Sequence, residues 1–408
     1  DDRNNEQREQ LRQFYVDRID TVSRTMRDEL QAIPAQIKTI DEAIPVTMVM
    51  QELKDRRPTH ILIRGQYDKL GEEVSPGLPA FLAKDSQPEA NRLDLARWLT
   101  DPSHPLTARV AVNRWWEMLF GTGLVETAED FGVQGSGPSH PELLDWLATE
   151  LIRTDWNQRA ILKSIVLSAT YRQSSNVTPR LLDVDPQNRL LARGSRWRLP
   201  AEMVRDNALA IGGLLHVQIG GPSVRPYQPP GLWEDVSVER RDKYVADIGP
   251  GLYRRSMYTF WKRTCPPPSM SAFDAPDRET CVVRRARTNT PLQALVLLND
   301  PTYVEAARAF AGRITHHVSD GEGSDDRARL DYAFRCAVAR VPLDRERVIA
   351  LDILGAARRR FTADPDAAMQ LLSVGTSRVD STVEPAELAA WTSVASILLN
   401  LDETISKP

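Results

Sequence analysis

Two stretches of the chain concentrate the residue types that do chemistry. The first, "ETAEDFGVQGSGPSHPE" (126–142), gathers Glu126, Glu129, Asp130, His140 and Glu142 among glycines. Carboxylates and an imidazole on a flexible approach to a helix can exchange protons or hold a divalent cation. The plainer alternative is that Ser139 and Glu142 form a capping box, the glycines turn the chain and His140 fills a surface notch. The second stretch, 253–289, sets Arg254, Arg255, Lys262 and Arg263 before a run of prolines. Asp274, Asp277, Arg278 and Glu279 follow it, and then Arg284, Arg285 and Arg287. Tyr253, Tyr258, Phe260, Trp261 and Phe273 are interleaved. Guanidinium groups pair bidentately with oxyanions, and aromatic rings stack on pyranose faces, so this pattern suits a sulfated or carboxylated sugar. Its alternative is a proline-stiffened strap over the helices, with its charges paired internally.

These stretches supply the candidates. Asp130, His140, Asp274 and Glu279 are the candidate acid–base groups. Arg254, Arg255, Trp261, Lys262, Arg263 and Arg284 are the candidate binding residues. A folded-back strap would bring Arg255, Lys262 and Arg263 towards Asp274 and Glu279. The adjacent Trp115 and Trp116 diverge by about 100° on a helix, so they read as core with one ring at a seam.

Several chemistries are absent. The glycines follow no G-x-G-x-x-G pattern after a strand, and the chain holds no G-x-S-x-G, H-E-x-x-H or P-loop. His60, His104, His216, His316 and His317 show no i,i+4 ligand spacing, so no metal site is expected. Cys265, Cys281 and Cys336 form no C-x-x-C, which excludes a zinc ribbon and a covalent haem site on this chain. A Cys265–Cys281 disulfide is left open, whereas Cys336, on the apolar side of "LDYAFRCAVA", is expected to be a buried free thiol.

The elements that must position these residues are mostly helices. Hydrophobic residues make up 41% and charged residues 26%, enough for a sizeable core. The net charge of −4 gives no basic field for nucleic acid. No apolar run reaches the length of a membrane span, and "DDRNNEQREQ" has no signal core. Residues 1–44 read as a helical segment leading in from upstream modules, its stripe running from Leu11 to Ile33 and stopping at Pro34. Residues 45–88 read as a small hairpin, Val46–Met50 against Thr59–Arg64, with "GEEVSPGLP" as an extended exit. Residues 89–408 read as a helical domain with an irregular insertion at about 220–289. Within it, Asp155 and Asp300 are expected N-caps, and helices are expected near 201–212, 326–340, 344–360 and 385–401. The fold class is therefore mainly α: a large helical body with a long N-terminal helix, a small β-hairpin and a long irregular covering loop.

Seven blocks carry a resemblance. They are "RPTHILIRGQYDKLGEEVSPGLP", "NRWWEMLFGTGLVETAEDFGVQGSGPSHPELLDWLA", "ATYRQSS", "GGPSVRPYQPPGLW", "YRRSMYTFWKRTCPPPSMSAFDAPDRETC", "RTNTPLQALVLLNDP" and "AAWTSVASILLNLDE". Together they resemble the C-terminal domain of unknown function of large secreted planctomycete proteins that also carry a cytochrome c module. The resemblance covers about 45–405 and implies a periplasmic or extracellular setting, with any haem c on an upstream module and no cofactor on this chain. It supplies no established reaction. Cys265 and Cys336 stand where a small or aliphatic residue is the family's pattern, which argues against a required disulfide.

Three functions follow as expectations. The first is an exported module that binds a partner or an anionic polysaccharide beside a cytochrome c domain. The second is a polysaccharide-acting enzyme using carboxylate and histidine acid–base groups. The third is a structural scaffold of an envelope assembly.

Overall fold

The computed structural model describes residues 3–82, 91–317 and 325–407 and is mainly helical. Contacts divide the chain into two units, Asp1–Asn91 and Arg92–Pro408.

The first unit opens with α1 (Asn5–Arg18) and α2 (Thr21–Ala43). Asn4 and Gln7 cap α1 reciprocally, each side chain bonding the other's backbone N–H. The sequence pointed to one helix ended by Pro34. The break comes instead at Ile19–Asp20, where the Asp20 carboxylate takes Val22 N and Ser23 Oγ and starts a new helix. Pro34 lies inside α2. Its ring removes one hydrogen bond, which a helix of 23 residues outlasts.

The hairpin also differs from expectation. β1 (Thr59–Leu62) pairs antiparallel with β2 (Leu70–Val74), Thr59 opposite Val74 and Leu62 opposite Leu70. Arg64 and Gly65 take left-handed φ of 54° and 72°, which reverses the chain directly after β1. The following segment is thus the nearest partner, and Val46–Met50 forms no strand.

The second unit has two cores. After α3 (Arg92–Leu99), the first core packs α4 (Thr107–Phe120), α5 (Pro141–Arg153) and α6 (Gln158–Leu167) through Val112, Trp116, Phe120, Leu147, Leu151 and Ile161. Leu144, Leu147 and Leu151 are buried as their spacing requires. The expected capping box of α5 does not form. Pro141 occupies the first turn and His140 becomes the N-cap, without a side-chain cap bond. Ser139 then lies one position too early, and its Oγ meets His140 Nδ1 at 3.0 Å. Asp155 likewise does not cap α6. Asp155 and Trp156 turn the chain at positive φ, and Asn157 accepts Ala160 N instead.

Beyond α7 (Pro179–Val184) and the short β3 (Trp197–Arg198), α8 (Ala201–Gly212) ends on Gly213 at φ 78°. The irregular region that follows contains only α9 (Leu232–Val236), α10 (Pro268–Ser271) and isolated helical turns. Then come α11 (Pro291–Asn299), α12 (Pro301–Thr315), α13 (Asp326–Val338), α14 (Asp344–Ala363), α15 (Pro365–Leu372), α16 (Pro385–Leu399), α17 (Asp402–Ile405) and β4 (Ser406–Lys407). Asp300 caps α12 as expected, accepting Thr302 N at 2.9 Å.

The second core centres on α12 and α16, with Phe310, Ile314, Leu330, Leu354 and Trp391 fully buried. Small residues let the helices approach: a Cβ at Gly212 of α8 would lie 2.8 Å from the Ala306 carbonyl of α12. β3 closes on β4, Trp197 opposite Lys407.

Candidate functional site

The first part of the 253–289 stretch is fastened to the body by buried charge. Arg254 is buried and donates to the carbonyls of Gln218, Gly220 and Pro222, with its guanidinium 3.8 Å from the Tyr258 ring centre. Arg205, buried on α8, reaches the carbonyls of Leu252 and Arg254 and the Ser256 hydroxyl. Tyr253 donates to Glu305 Oε1 at 2.9 Å. Glu305 is 1% exposed on α12 and also takes Ser377 N and Arg308. Gly375 makes this possible: at φ 84°, a Cβ there would sit 2.2 Å from the Glu305 carboxyl carbon. Tyr227 and Tyr253 both meet Thr376 Oγ1, at 3.1 and 3.2 Å. Burial raises both phenols above their usual range, so they stay neutral hydrogen-bonding groups. Glu305, Arg308, Tyr227 and Thr376 were not singled out from the sequence. The available signal was the pair Glu305 and Arg308, three apart on the alanine-rich face of α12.

The middle of the strap is engaged with itself and its surroundings. Trp261 Nε1 donates to the Asp277 carbonyl at 2.9 Å, and Arg278 lies 4.4 Å over the Trp261 ring. Lys262 pairs with Asp242 at 2.6 Å. Asp274, at φ 61°, accepts from Thr288 N and Thr288 Oγ1. The charge sets before and after the prolines therefore find other partners than each other, because Asp242 and Thr288 satisfy Lys262 and Asp274 first. Arg255 is exposed, 3.9 Å from Asp206; Arg263 and Glu279 are exposed as well. Cys265, Cys281 and Cys336 are free thiols, Cys281 exposed and the other two partly buried.

Asp130 and His140 are each held locally. The Asp130 carboxylate accepts Gly132 N at 2.7 Å, and His140 meets Ser139. No hydrogen bond joins Asp130, His140, Asp274 and Glu279 to one another among the described residues, and no cluster there has the make-up of a metal site.

The strap's tail returns to the C-terminal end of α4, and there a site assembles. Gly121 ends α4 at φ 81°, and the Trp197 ring fills the space a Cβ would need, 2.8 Å away. Arg287 donates to the Gly121 carbonyl at 2.7 Å and lies 4.7 Å over the Trp197 ring. Burial lowers the Arg287 pKa, Glu117 opposes that shift and Arg284 adds to it, so the two guanidinium groups feel each other. Lys407, across β3–β4 from Trp197, rests its ammonium 4.1 Å over Tyr171 and 5.6 Å over Phe120, and burial lowers its pKa. No ion pair joins Arg284, Arg287 or Lys407 to a carboxylate among the described residues. Glu117, one turn before Gly121, is half-buried. Burial raises its pKa against the pull of Arg287, Arg284 and Arg114, and Glu129 adds to the rise. Of the residues picked from sequence, Arg284 and Arg287 of the second stretch belong here. Trp197, Lys407 and Glu117 are scattered over the rest of the chain, and only folding joins them to it.

Residues 91–354 match PSD1, a family described as a protein of unknown function (DUF1553). The chain belongs to the PSD1 family. The match spans α4, the strap and its tail, so every residue of the α4-end site except Lys407 lies within the PSD1 stretch. No curated protein matches this PSD1 chain, and no solved structure does. Among the described residues no helix is long and apolar enough to cross a membrane.

Proposed function

We propose that this PSD1 module binds an anionic polysaccharide at the end of α4, as an exported part of a larger protein that also carries a cytochrome c domain. One observation carries the reading: Arg287 lies over Trp197 with Arg284 near it, Lys407 lies over Tyr171 and Phe120, and no ion pair joins the three to a carboxylate among the described residues. Surface cations are ordinarily interspersed with carboxylates; Glu117, the carboxylate beside Arg284 and Arg287, is half-buried with its charged form disfavoured, so the set favours a ligand that brings the negative charge. The Arg287 guanidinium, stacked on Trp197 with Nη1 on the Gly121 carbonyl, keeps its remaining N–H groups in plane for sulfate or carboxylate. Exposed Arg255 and Arg263 are further contacts, whereas Arg254, Trp261 and Lys262 are engaged within the protein. The support for export and for the cytochrome partner is the resemblance of the seven blocks; any haem belongs to another module.

The test is calorimetric titration with heparin and with polygalacturonate, dextran serving as the neutral control. Wild type binds both polyanions, and Arg284→Ala binds roughly tenfold more weakly, the worth of one charge-assisted contact. Equal binding to dextran, or an unaffected Arg284→Ala variant, contradicts the reading.

A second reading, polysaccharide cleavage, has Glu117 in its favour: a half-buried carboxyl with a raised pKa, beside arginines that would hold the substrate. Glu117→Gln would then abolish cleavage and keep binding.

A further inference from the structure

No described residue of α1 or α2 is buried. On α2 the uncovered apolar residues form a seam: Met26, Leu30, Ile33, Ile37, Ile40 and, just past the helix end, Ile44, each between 46% and 67% exposed. They follow one another by four, three, four, three and four residues, the alternation of a heptad that is apolar at its first and fourth positions. The seam passes Pro34, which stands beside it and not in it. An amphipathic helix draws most of its stability from packing its apolar face, so this seam calls for a partner surface. A strict 3.5-residue repeat fits a second helix lying along it, whereas a globular body accepts the wider 3.6-residue stripe.

The residues flanking the seam select the helix. Arg27, Pro34 and Asp41 run along one side of it, and Glu29, Gln36 and Ala43 along the other. In a parallel pair of α2 helices each side faces the partner's other side. Glu29 then meets the partner's Pro34 and Gln36 the partner's Asp41, and no ion pair forms. In an antiparallel pair each side faces its own copy, and Arg27 falls opposite the partner's Asp41, a contact that the two-fold axis makes twice. The same register sets Met26 against the partner's Ile44, Leu30 against the partner's Ile40 and Ile33 against the partner's Ile37, so every level of the seam is filled. It also brings the two Pro34 bends together at the axis, where both helices can turn alike. Asp41 makes no ion pair among the described residues. Arg27 meets Asp17, but both side chains are well exposed, and a surface pair of that kind is readily exchanged.

We infer that α2 is a self-association helix: two copies of this chain join through an antiparallel coiled coil of their α2 helices, with Arg27 of each against the partner's Asp41. The occupant is a second copy because the flanks carry both signs, in an order that complements its own reversal. An unrelated acidic or basic helix would match one of these two charges and oppose the other. The inference does not rest on the polysaccharide reading. If both hold, a dimer carries two α4-end sites and gains avidity for a repeating polyanion.

Sedimentation velocity of the full chain, from about 1 to about 100 μM, is the test. Wild type is expected to reach the mass of two chains at the upper end, with Kd on the order of ten micromolar. Ile37→Asp puts a charge in the middle of the seam and is expected to leave single chains throughout, while the helical body melts as in wild type because the position is exposed. Arg27→Asp and Asp41→Arg each set like charges against each other twice, and each is expected to weaken association about tenfold. The combined Arg27→Asp/Asp41→Arg chain is expected to regain most of it, which a parallel pair would not do. A single-chain mass at every concentration overturns the proposal, as does a dimer that Ile37→Asp leaves intact. Single reversals without effect, or a double variant that does not recover, overturn the antiparallel register.

Discussion

Arg254 and Arg284 lie 30 residues apart in the same irregular stretch and do opposite work. Arg254 is buried, and its charge is offset by three backbone carbonyls and an aromatic face. Arg284 is exposed and makes no hydrogen bond or ion pair among the described residues, and a second arginine, Arg287, stands close enough to have its pKa lowered by it. Removing a guanidinium from water is tolerable only when protein acceptors replace that water. One that stays in water is not obliged to find them, and remains available to an outside oxyanion. Burial, and not residue type, separates the arginines that hold the strap from those that stay in water.

The comparison breaks first at its buried end. Glu305→Ala would leave Arg308 buried without its carboxylate and free the Tyr253 hydroxyl, at a cost of about 3–5 kcal/mol. Urea unfolding measures it, and a loss under about 1 kcal/mol would mean the strap is fastened elsewhere. Next, Arg254→Ala should cost about 3 kcal/mol by orphaning carbonyls, whereas Arg284→Ala stays within about 0.5 kcal/mol of wild type. Comparable losses for the two would erase the distinction.

The smallest effect is in the pH dependence. Because burial raises the Glu117 pKa, the folded chain keeps that proton after the unfolded chain has released it. Stability therefore falls as pH rises from the ordinary carboxylate range through the higher folded value. Glu117→Gln is expected to remove that slope and to be slightly more stable at neutral pH. A variant with the same slope as wild type would place the titration on another group.

The helical body was legible because its helices carry apolar residues at a period of 3.6, and because Asp300–Pro301 and Gly213 punctuate them in the usual way. What was not legible depended on single turns. Pro141 moved the start of α5 by one residue, and left-handed Arg64 and Gly65 gave β1 a partner other than the apolar run before it. α11 and α15 escaped notice because "PLQALVLL" is apolar almost all round and Pro365–Leu372 is only eight residues long. Of the site, the strap was visible from composition, and Arg284 and Arg287 with it. Trp197 and Lys407 join them through Gly121 and a two-residue β-pair, and neither contact leaves a periodic trace in sequence.

The central claim is that the tail of the strap, and not its buried root, meets an anionic ligand. Titrating heparin into wild type, Arg284→Ala and an Arg284→Ala/Arg287→Lys double variant, at about 50 mM and about 200 mM salt, tests it most directly. The account predicts that wild type binds and weakens with salt, that Arg284→Ala is weaker with a shallower salt dependence, and that the double variant is weaker again with its fold intact. Identical affinities and salt slopes for all three chains, or no binding by wild type at the lower salt, would contradict it.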